Sequence, residues 1–548
     1  MENIKHLLLL LCIMISANTL KAQSFNYIDD HCFGTTGDVN VYTSGRIYNF
    51  NVIVGKTDYI GVSGDKTTYN CDIEDIWIVA FDDSLQKKWD NTFGGIGYDE
   101  AYNVIPYKQG LVISGHTTSD STCNITTHNK GSYDYLLLFI DSLGNKTNEL
   151  RIGSIGEDEL CKIEKTLDGG LILSGISKGI HSFDKSQNAF YPPFGTPFTA
   201  GYDYWVIKLD SLGNKQWDRV FGGQDNEWPL NSSEYGLSVL RDSSYIIFGI
   251  TSSGLNGNIT SSPYGAYDAI VFKVDKNGNK IWDKRFGGNS NDIITKIIEM
   301  DNSYYIFGRT ASTFGGTIIN QGYGSSDLWL MKTDTAGDLI WEKKVGTTFG
   351  ELSWDMVYNN RGNLYALGEI NSALNGSFPT ANYGSFDFVI MSFDTSGTLL
   401  TYKILGANSS DIPNKILLLN DSTLVLTGLS AAGTSDVKYC YSNVDSLSSK
   451  YWAVKLGYTT TTTSINQLQN NLSLTARPNP AKDHINISGL PPASYTINTY
   501  SLDGRLVMSN IITSDLSLPL SIESLQSGMY LSNIKNEKIN TTVRWVKE

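Results

Sequence analysis

The stretch Asp203–Gly223, DYWVIKLDSLGNKQWDRVFGG, decides the fold. Its first half, Tyr204–Leu209, is apolar on both alternating faces: Trp205, Ile207 and Leu209 on one, Tyr204 and Val206 on the other. A strand with two apolar faces is buried on both sides. Asp210-Ser211-Leu212-Gly213-Asn214 then reads as a tight turn. Gly takes the positive φ a hairpin needs, and Asp bonds its own backbone two residues on. Lys215–Phe221 mixes polar residues with Trp217 and Phe221, as an outer, half-exposed strand does.

The module recurs. Its opening Asp returns at Asp75, Asp134, Asp268, Asp327 and Asp387, at spacings of 59 to 69 residues. A seventh copy, Lys450–Leu456, has lost it. Equivalent turns carry Gly144, Gly278, Gly337 and Gly397. Two further strands fit between copies, such as Ile293–Met300 and Ser303–Arg309. The second of these is assigned one glycine per unit: Gly64, Gly115, Gly175, Gly249, Gly308, Gly368 and Gly428. Glycine inside a strand marks a bulge or a close backbone approach, read here as crowding near a shared axis.

Each unit is thus four short antiparallel strands. Such a sheet cannot bury two apolar faces alone, whereas radial stacking buries both. The expected fold is all-β: a seven-bladed β-propeller over residues 23–457, then a small C-terminal β-sandwich. The strand ending at Cys32-Phe33-Gly34 would supply the outer strand that the seventh copy lacks, removing an open edge. Six or eight blades are the competing counts, and an array of β-sandwiches is the competing architecture.

The 548-residue chain is too long for one core, and its net charge is −14 with no Lys/Arg run. Phosphate backbones require clustered cations, so nucleic acid is excluded as a partner. Residues 1–22 read as a secretory signal: Lys5, the apolar run Leu7–Ile15, and Ala22 as a cleavage residue before Gln23. No later segment approaches about 18 consecutive apolar residues, so no transmembrane segment is expected after cleavage. Cys32, Cys71, Cys123, Cys161 and Cys440 show no metal-ligand spacing and are expected as mostly buried free thiols. One bridge among Cys71, Cys123 and Cys440 is the alternative.

Several features could carry chemistry. An acidic residue follows each FGG-like stretch: Asp99, Asp158, Glu227, Asp292, Glu351 and Asp411, with Asp38 one residue early. A carboxylate ring suits calcium, which takes about 6–8 oxygen ligands. The preferred reading is structural, each acid fixing a turn through loop amides, so no metal or cofactor is expected. Trp77, Trp205, Trp329 and Trp452 repeat at one strand position and Trp89, Trp217, Trp282 and Trp341 at another, which marks them as core. Aromatics of the long irregular loops are the better ligand contacts: Tyr191, Phe194, Phe198, Tyr264, Phe314, Tyr323, Phe378 and Tyr383. His31, His116, His128, His181 and His484 stand in no nucleophile or zinc motif, so no enzyme is expected. Asp210, Gly213 and Trp217 look like the DxxTGxxxW turn of quinoprotein propellers. The Thr and the adjacent cysteines of a quinone site are missing, so the likeness is one of hairpin mechanics.

The pattern changes after Gly457. Residues 458–472 form a Thr/Asn/Gln-rich linker. Residues 473–548 alternate as a small sandwich, with strands at His484–Ile487, Tyr495–Ser501, Arg505–Met508, Ser517–Ile522, Gly528–Ile534 and Thr541–Val546. This segment resembles the type A C-terminal sorting domain of the type IX secretion system of the Bacteroidota. The matching residues are Pro478-Asn479-Pro480 through Asp483, the Asp503-Gly504-Arg505 turn, the stretch Ile522–Leu531 with Gly528 and Tyr530, and the basic final strand Val543–Lys547. The resemblance implies passage to the periplasm, reading by an outer-membrane translocon, and release or display at the cell surface. The FGG-bearing repeats are similar to those of other secreted proteins of these bacteria, which implies fold alone. The expected function is a secreted or surface-displayed binding module for a glycan or protein ligand. The alternatives are a glycan-cleaving enzyme with carboxylates in the funnel and a structural spacer of the surface layer.

Overall fold

The computed structural model describes residues 21–72, 74–190, 201–227, 236–371, 376–378, 383–431, 435, 438, 449–462, 475–488, 493–501, 506–514, 517–535 and 540–548. All its elements are strands. They fall into two compact units, Gln23–Thr460 and Thr461–Glu548.

The larger unit is a series of propeller-like four-stranded antiparallel sheets, each built from strands consecutive in sequence. The first is Val39–Ile47, Phe50–Thr57, Asp75–Asp82 and Lys87–Phe93. The first strands of the next five are Asp99–Tyr107, Asp158–Lys165, Gly236–Val239, Asp292–Met300 and Leu352–Tyr358. The last sheet differs: Asp411–Asn420, Thr423–Ser430 and Lys450–Thr462 are flanked by the N-terminal strand Lys21–Phe33 as outer strand.

Between successive sheets lies an apolar layer. Third strands are buried along most of their length, and throughout in Asp203–Leu209 and Asp268–Val274, because both faces meet a neighbouring sheet. Trp77, Trp205, Trp329 and Trp452 are fully buried. Their indole N–H groups donate to outer-strand carboxylates: Asp90 at 3.1 Å, Asp218 at 3.0 Å, Glu342 at 2.9 Å and Asp30 at 2.8 Å. That satisfies the one polar atom of an otherwise apolar side chain. A comparable layer joins the last sheet to the first, with Leu417, Val425 and Tyr451 packed with Ile53, Trp77 and Val79. The same two sheets exchange Asn414 Nδ2–H to Tyr42 O at 2.9 Å and Ser44 Oγ with Thr427 Oγ1 at 2.6 Å.

The hairpin turns follow their sequence. Asp210 Oδ1 accepts from Leu212 N at 2.8 Å and Asn214 N at 2.9 Å, and Gly213 has φ 90°. The strand glycines have a cause other than axial crowding. In six of the seven sheets the first strand carries a β-bulge opposite this glycine, between Ala101 and Asn103 or Leu160 and Lys162, for example; at Gly249 a Cβ would instead meet the Tyr204 ring. The bulge pushes the preceding carbonyl into the space of a side chain. A Cβ on Gly115 would lie 1.8 Å from Glu100 O, and one on Gly308 2.0 Å from Ile293 O. In the first sheet this residue is Gly55, paired with Val41. Gly64, assigned there from sequence, lies beyond that strand at φ 58°.

The cysteine expectation is overturned. Cys71 and Cys123, in the long loops of the first and second sheets, form a disulfide, and Cys32 is also disulfide-bonded. Cys161 is a buried free thiol.

The smaller unit has a three-stranded sheet (Thr475–Arg477, His484–Ser488, Ser517–Ser521) and a four-stranded one (Leu506–Ser514, Ala493–Ser501, Gly528–Lys535, Asn540–Lys547). Tyr530 stacks on Trp545 with ring centroids 5.0 Å apart in its core. The Pro478-Asn479-Pro480 segment is clasped to the final strand. Asn479 Oδ1 accepts from Val546 N at 2.9 Å, and Ala481 N donates to Val546 O at 2.8 Å. Gly528 opens the strand that carries Tyr530, whereas Asp503 and Gly504 lie outside the described residues.

Candidate functional site

The bulges that demand the strand glycines also build a site. In each sheet the residue just before the second-strand glycine pairs with one first-strand residue, which gives seven equivalent positions. They are Thr43, Asn103, Lys162, Gly236, Lys296, Asp355 and Lys415. One cavity of about 40 Å³ gathers residues at or beside this position from all seven first strands, among them Tyr42, Asn103, Lys162, Gly236, Lys296, Trp354 and Lys415. Two residues further on, Glu164 joins the lining. Glu164 and Lys296 also line a wider cleft of about 520 Å³, toward the ends of the first strands, with Ser238, Arg241, Glu299 and Tyr358. That volume lies in the ligand-pocket range of about 300–1,000 Å³.

The electrostatics of this half-buried layer are unusual. Burial, then repulsion from Lys415 and Lys296, drops the Lys162 ammonium to about 7. Lys415 is lowered by burial, opposed by Asp355, whose Oδ1 lies 3.7 Å away. The other Asp355 oxygen accepts from Ile416 N at 3.0 Å. Burial raises Glu164 against the pull of Lys296, Lys415 and Lys162. Among the described residues, the Lys162 and Lys296 side chains make no hydrogen bond or ion pair. Like charges held together without partners, in a concave site with shifted ionisation, mark a functional candidate.

A second polar cluster sits nearer the loop-bearing ends. Glu100 accepts from Lys56 Nζ at 2.6 Å, Tyr42 OH at 3.1 Å and Tyr102 OH. It is held below the usual carboxylate range; burial opposes this, and Lys56 and Tyr102 outweigh it. His116 Nε2 lies 3.7 Å from it, and burial lowers the imidazole to about 4, keeping it neutral.

Six of the carboxylates named from sequence staple turns, while the seventh, Asp38, is exposed and accepts from Ser449 N at 3.0 Å. Asp99 accepts from Gly95 N at 2.8 Å, Thr117 Oγ1 at 2.5 Å and Ser119 Oγ at 2.7 Å. Asp158 accepts from Ser154 N at 2.5 Å and from Ser177, Asp292 from Gly288 N at 2.7 Å and from Thr310, and Asp411 from Ala407 N at 2.7 Å and from Ser430. Glu227 accepts from Gly223 N at 3.1 Å and Thr251 Oγ1 at 2.8 Å, and Glu351 from Thr347 N at 3.1 Å. All six are fully buried. The strand-opening Asp lies close by: a Cβ on Gly222 would fall 1.9 Å from Asp203 Oδ1 and 2.6 Å from Glu227 Oε2. This explains the first glycine of the FGG stretch. Burial, then the Glu227 charge, holds Asp203 well above its ordinary value. Burial lifts Asp75 to about 7, Asp134 to about 6 and Glu351 to about 8. Among the described residues no group of three or more His, Cys, Asp or Glu is gathered to hold a metal ion.

The loop aromatics do not converge. Tyr264, Tyr323 and Tyr383 are exposed, but each stands four residues before a strand-opening Asp and donates its amide to it, at 2.8, 3.0 and 2.7 Å respectively. They are therefore repeat positions themselves. Phe314 is 66% exposed, and Phe378 is buried against Tyr402. Tyr191, Phe194 and Phe198 lie outside the described residues. Sequence reading missed the lysines. Lys162, Lys296 and Lys415 each stand four residues past a turn acid, as do Asn103 and Asp355. A polar side chain at that register of a sheet-core strand was the available signal.

Residues 476–548 match the family described as "Secretion system C-terminal sorting domain". The chain is 25% identical over 227 residues to "Regulatory protein FlaEY" of Caulobacter vibrioides, which covers 37% of this chain and 23% of that protein. Among solved structures, a protein of unknown function from Dyadobacter fermentans is similar over 79% of this chain and 99% of that one, with 9% identity and a TM-score of 0.40. The BBS1N chain of a complex with ARL6DN covers 81% of this chain and 98% of its own, with 7% identity and a TM-score of 0.39.

Proposed function

We propose that this protein is a ligand-recognition module of the cell exterior, a closed seven-bladed propeller carried there as cargo of a type IX secretion system. Closure is supported by the apolar layer and side-chain bonds between the last sheet and the first, and by the N-terminal strand lying in the last sheet. The sorting domain supports export to the medium or the outer surface, and with it a Bacteroidota source.

The observation that carries the binding reading is the convergence of seven successive sheets, six of them through polar side chains, on one cavity that opens beside a wide cleft. Desolvating unpartnered ammonium groups costs stability. That cost is retained where a ligand makes use of it. The site therefore lies in the channel and its hairpin-end cleft rather than among the loop aromatics. The turn carboxylates are spent on backbone amides, and catalysis is not part of this reading. The test is a ligand screen of the secreted chain by thermal shift, with glycans, peptides and small acids as probes. Specific binders whose effect is lost when Ser238→Trp fills the cleft support recognition there. Turnover of a glycan would instead establish the enzyme, and silence across the panel the spacer.

A further inference from the structure

Resting on that reading, we propose that the channel seats the anionic end group of its ligand, a phosphate- or sulfate-type oxyanion, between Lys162, Lys296 and Lys415, with the body of the molecule in the cleft. Charge and size both point there. Three lysine side chains from three sheets line the cavity, with Glu164 as the one acidic side chain in its lining, and Asp355 lies against Lys415. Lys162 and Lys296 are left without a protein acceptor among the described residues. Burial raises the Glu164 carboxyl against the pull of Lys296, Lys415 and Lys162, which weakens it as a counter-charge to them. The neck, at about 40 Å³, admits an end group and a few waters but no ring. The adjoining 520 Å³ cleft accepts a body the size of a sugar or an aryl group. A bound dianion would place acceptors against the ammonium groups of Lys162 and Lys296, giving charge-assisted hydrogen bonds in a partly desolvated site.

The experiment is isothermal titration of the secreted chain at constant ionic strength with four probes: inorganic phosphate, inorganic sulfate, phenyl phosphate and phenyl sulfate, with benzyl alcohol as the neutral control. Binding of the esters about tenfold or more tighter than the inorganic ions is expected, and no binding of the alcohol. Lys162→Met and Lys296→Met should each weaken the esters by about tenfold or more, the usual scale for losing a charge-assisted bond. The same variants should melt no lower than wild type without ligand, since each removes a like charge, so lost binding is not lost folding. Affinity should also rise as pH falls from 8 to 6, with proton uptake on binding as Lys162 charges. Equal affinity for inorganic ions and esters would overturn the end-group assignment and leave a free-anion site. Ester binding unchanged in both variants would overturn the anion seat itself. If the esters fail while a neutral binder from the screen is blocked by Ser238→Trp, the anion inference falls and channel recognition stands. If no binder responds to Ser238→Trp, both fall.

Discussion

Gly115→Ala puts the bulge mechanism to the test most sharply. The added Cβ would lie 1.8 Å from Glu100 O and 2.7 Å from the Cα of Ala101. Both are backbone atoms of the neighbouring strand, so no side chain can swing aside. Ordinary contact needs about 3.4 Å or more, so the two strands must part by about 1.5 Å at this point. The ladder on either side, Glu100 with His116 and Asn103 with Ser114, then loses at least one hydrogen bond, worth about 1 kcal/mol net. Overpacking adds about 1–3 kcal/mol, giving about 3 kcal/mol in all. Gly254→Ala is the control, because its Cβ would meet only Asn256 Nδ2, at 3.6 Å; it should fall within about 0.5 kcal/mol of wild type. Urea denaturation followed by Trp fluorescence measures both. A loss below about 1 kcal/mol in Gly115→Ala would refute the claim that the bulge, rather than chance, fixes a glycine there.

Three further outcomes are expected. Glu351→Gln should stabilise the chain relative to wild type as pH rises from 5 to 9, by on the order of 1–2 kcal/mol at pH 9. Burial lifts this carboxyl to about 8, so its folded form holds a proton that the unfolded chain has released. Its contribution is full below the ordinary carboxylate value and lost as pH rises through about 8; urea midpoints at the two pH values check the sign. Cys71→Ser should cost about 2–4 kcal/mol under oxidising conditions, since the bridge to Cys123 spans 52 residues, and nothing in reductant. Removing residues 476–548 should strand the protein in the periplasm. Asn479→Ala, which orphans the Val546 amide, should lower the secreted fraction, read by immunoblot of medium against periplasm.

The sheets were legible because their signals repeat. The strand-opening Asp, the hairpin Gly and the Trp of the third strand return in copy after copy, and each has a local physical cause that one copy suffices to state. What repeats could also mislead. Tyr264, Tyr323 and Tyr383 looked like loop-borne ligand contacts, yet their shared place four residues before the Asp ties them to the turn. The Cys71–Cys123 bridge stood in the sequence only as an alternative to free thiols, because its halves belong to different repeats and spacing along one copy does not select a partner in another. The lysines were missed for the opposite reason. Lys162, Lys296 and Lys415 look ordinary singly, and only the bulge register brings them to one level of one cavity. Gly64 was misplaced for a related reason: in the first copy the loop holds a glycine a few residues past the strand, and the bulge that selects Gly55 leaves no mark in the sequence.

The most direct measurement is a crystal structure of the chain soaked with phenyl phosphate. An oxyanion is expected between Lys162, Lys296 and Lys415, with the ring toward Ser238 and Tyr358 at the mouth. Density only on the loop-bearing face, beside Tyr264, Phe314, Tyr323 or Tyr383, with the channel empty, would contradict it.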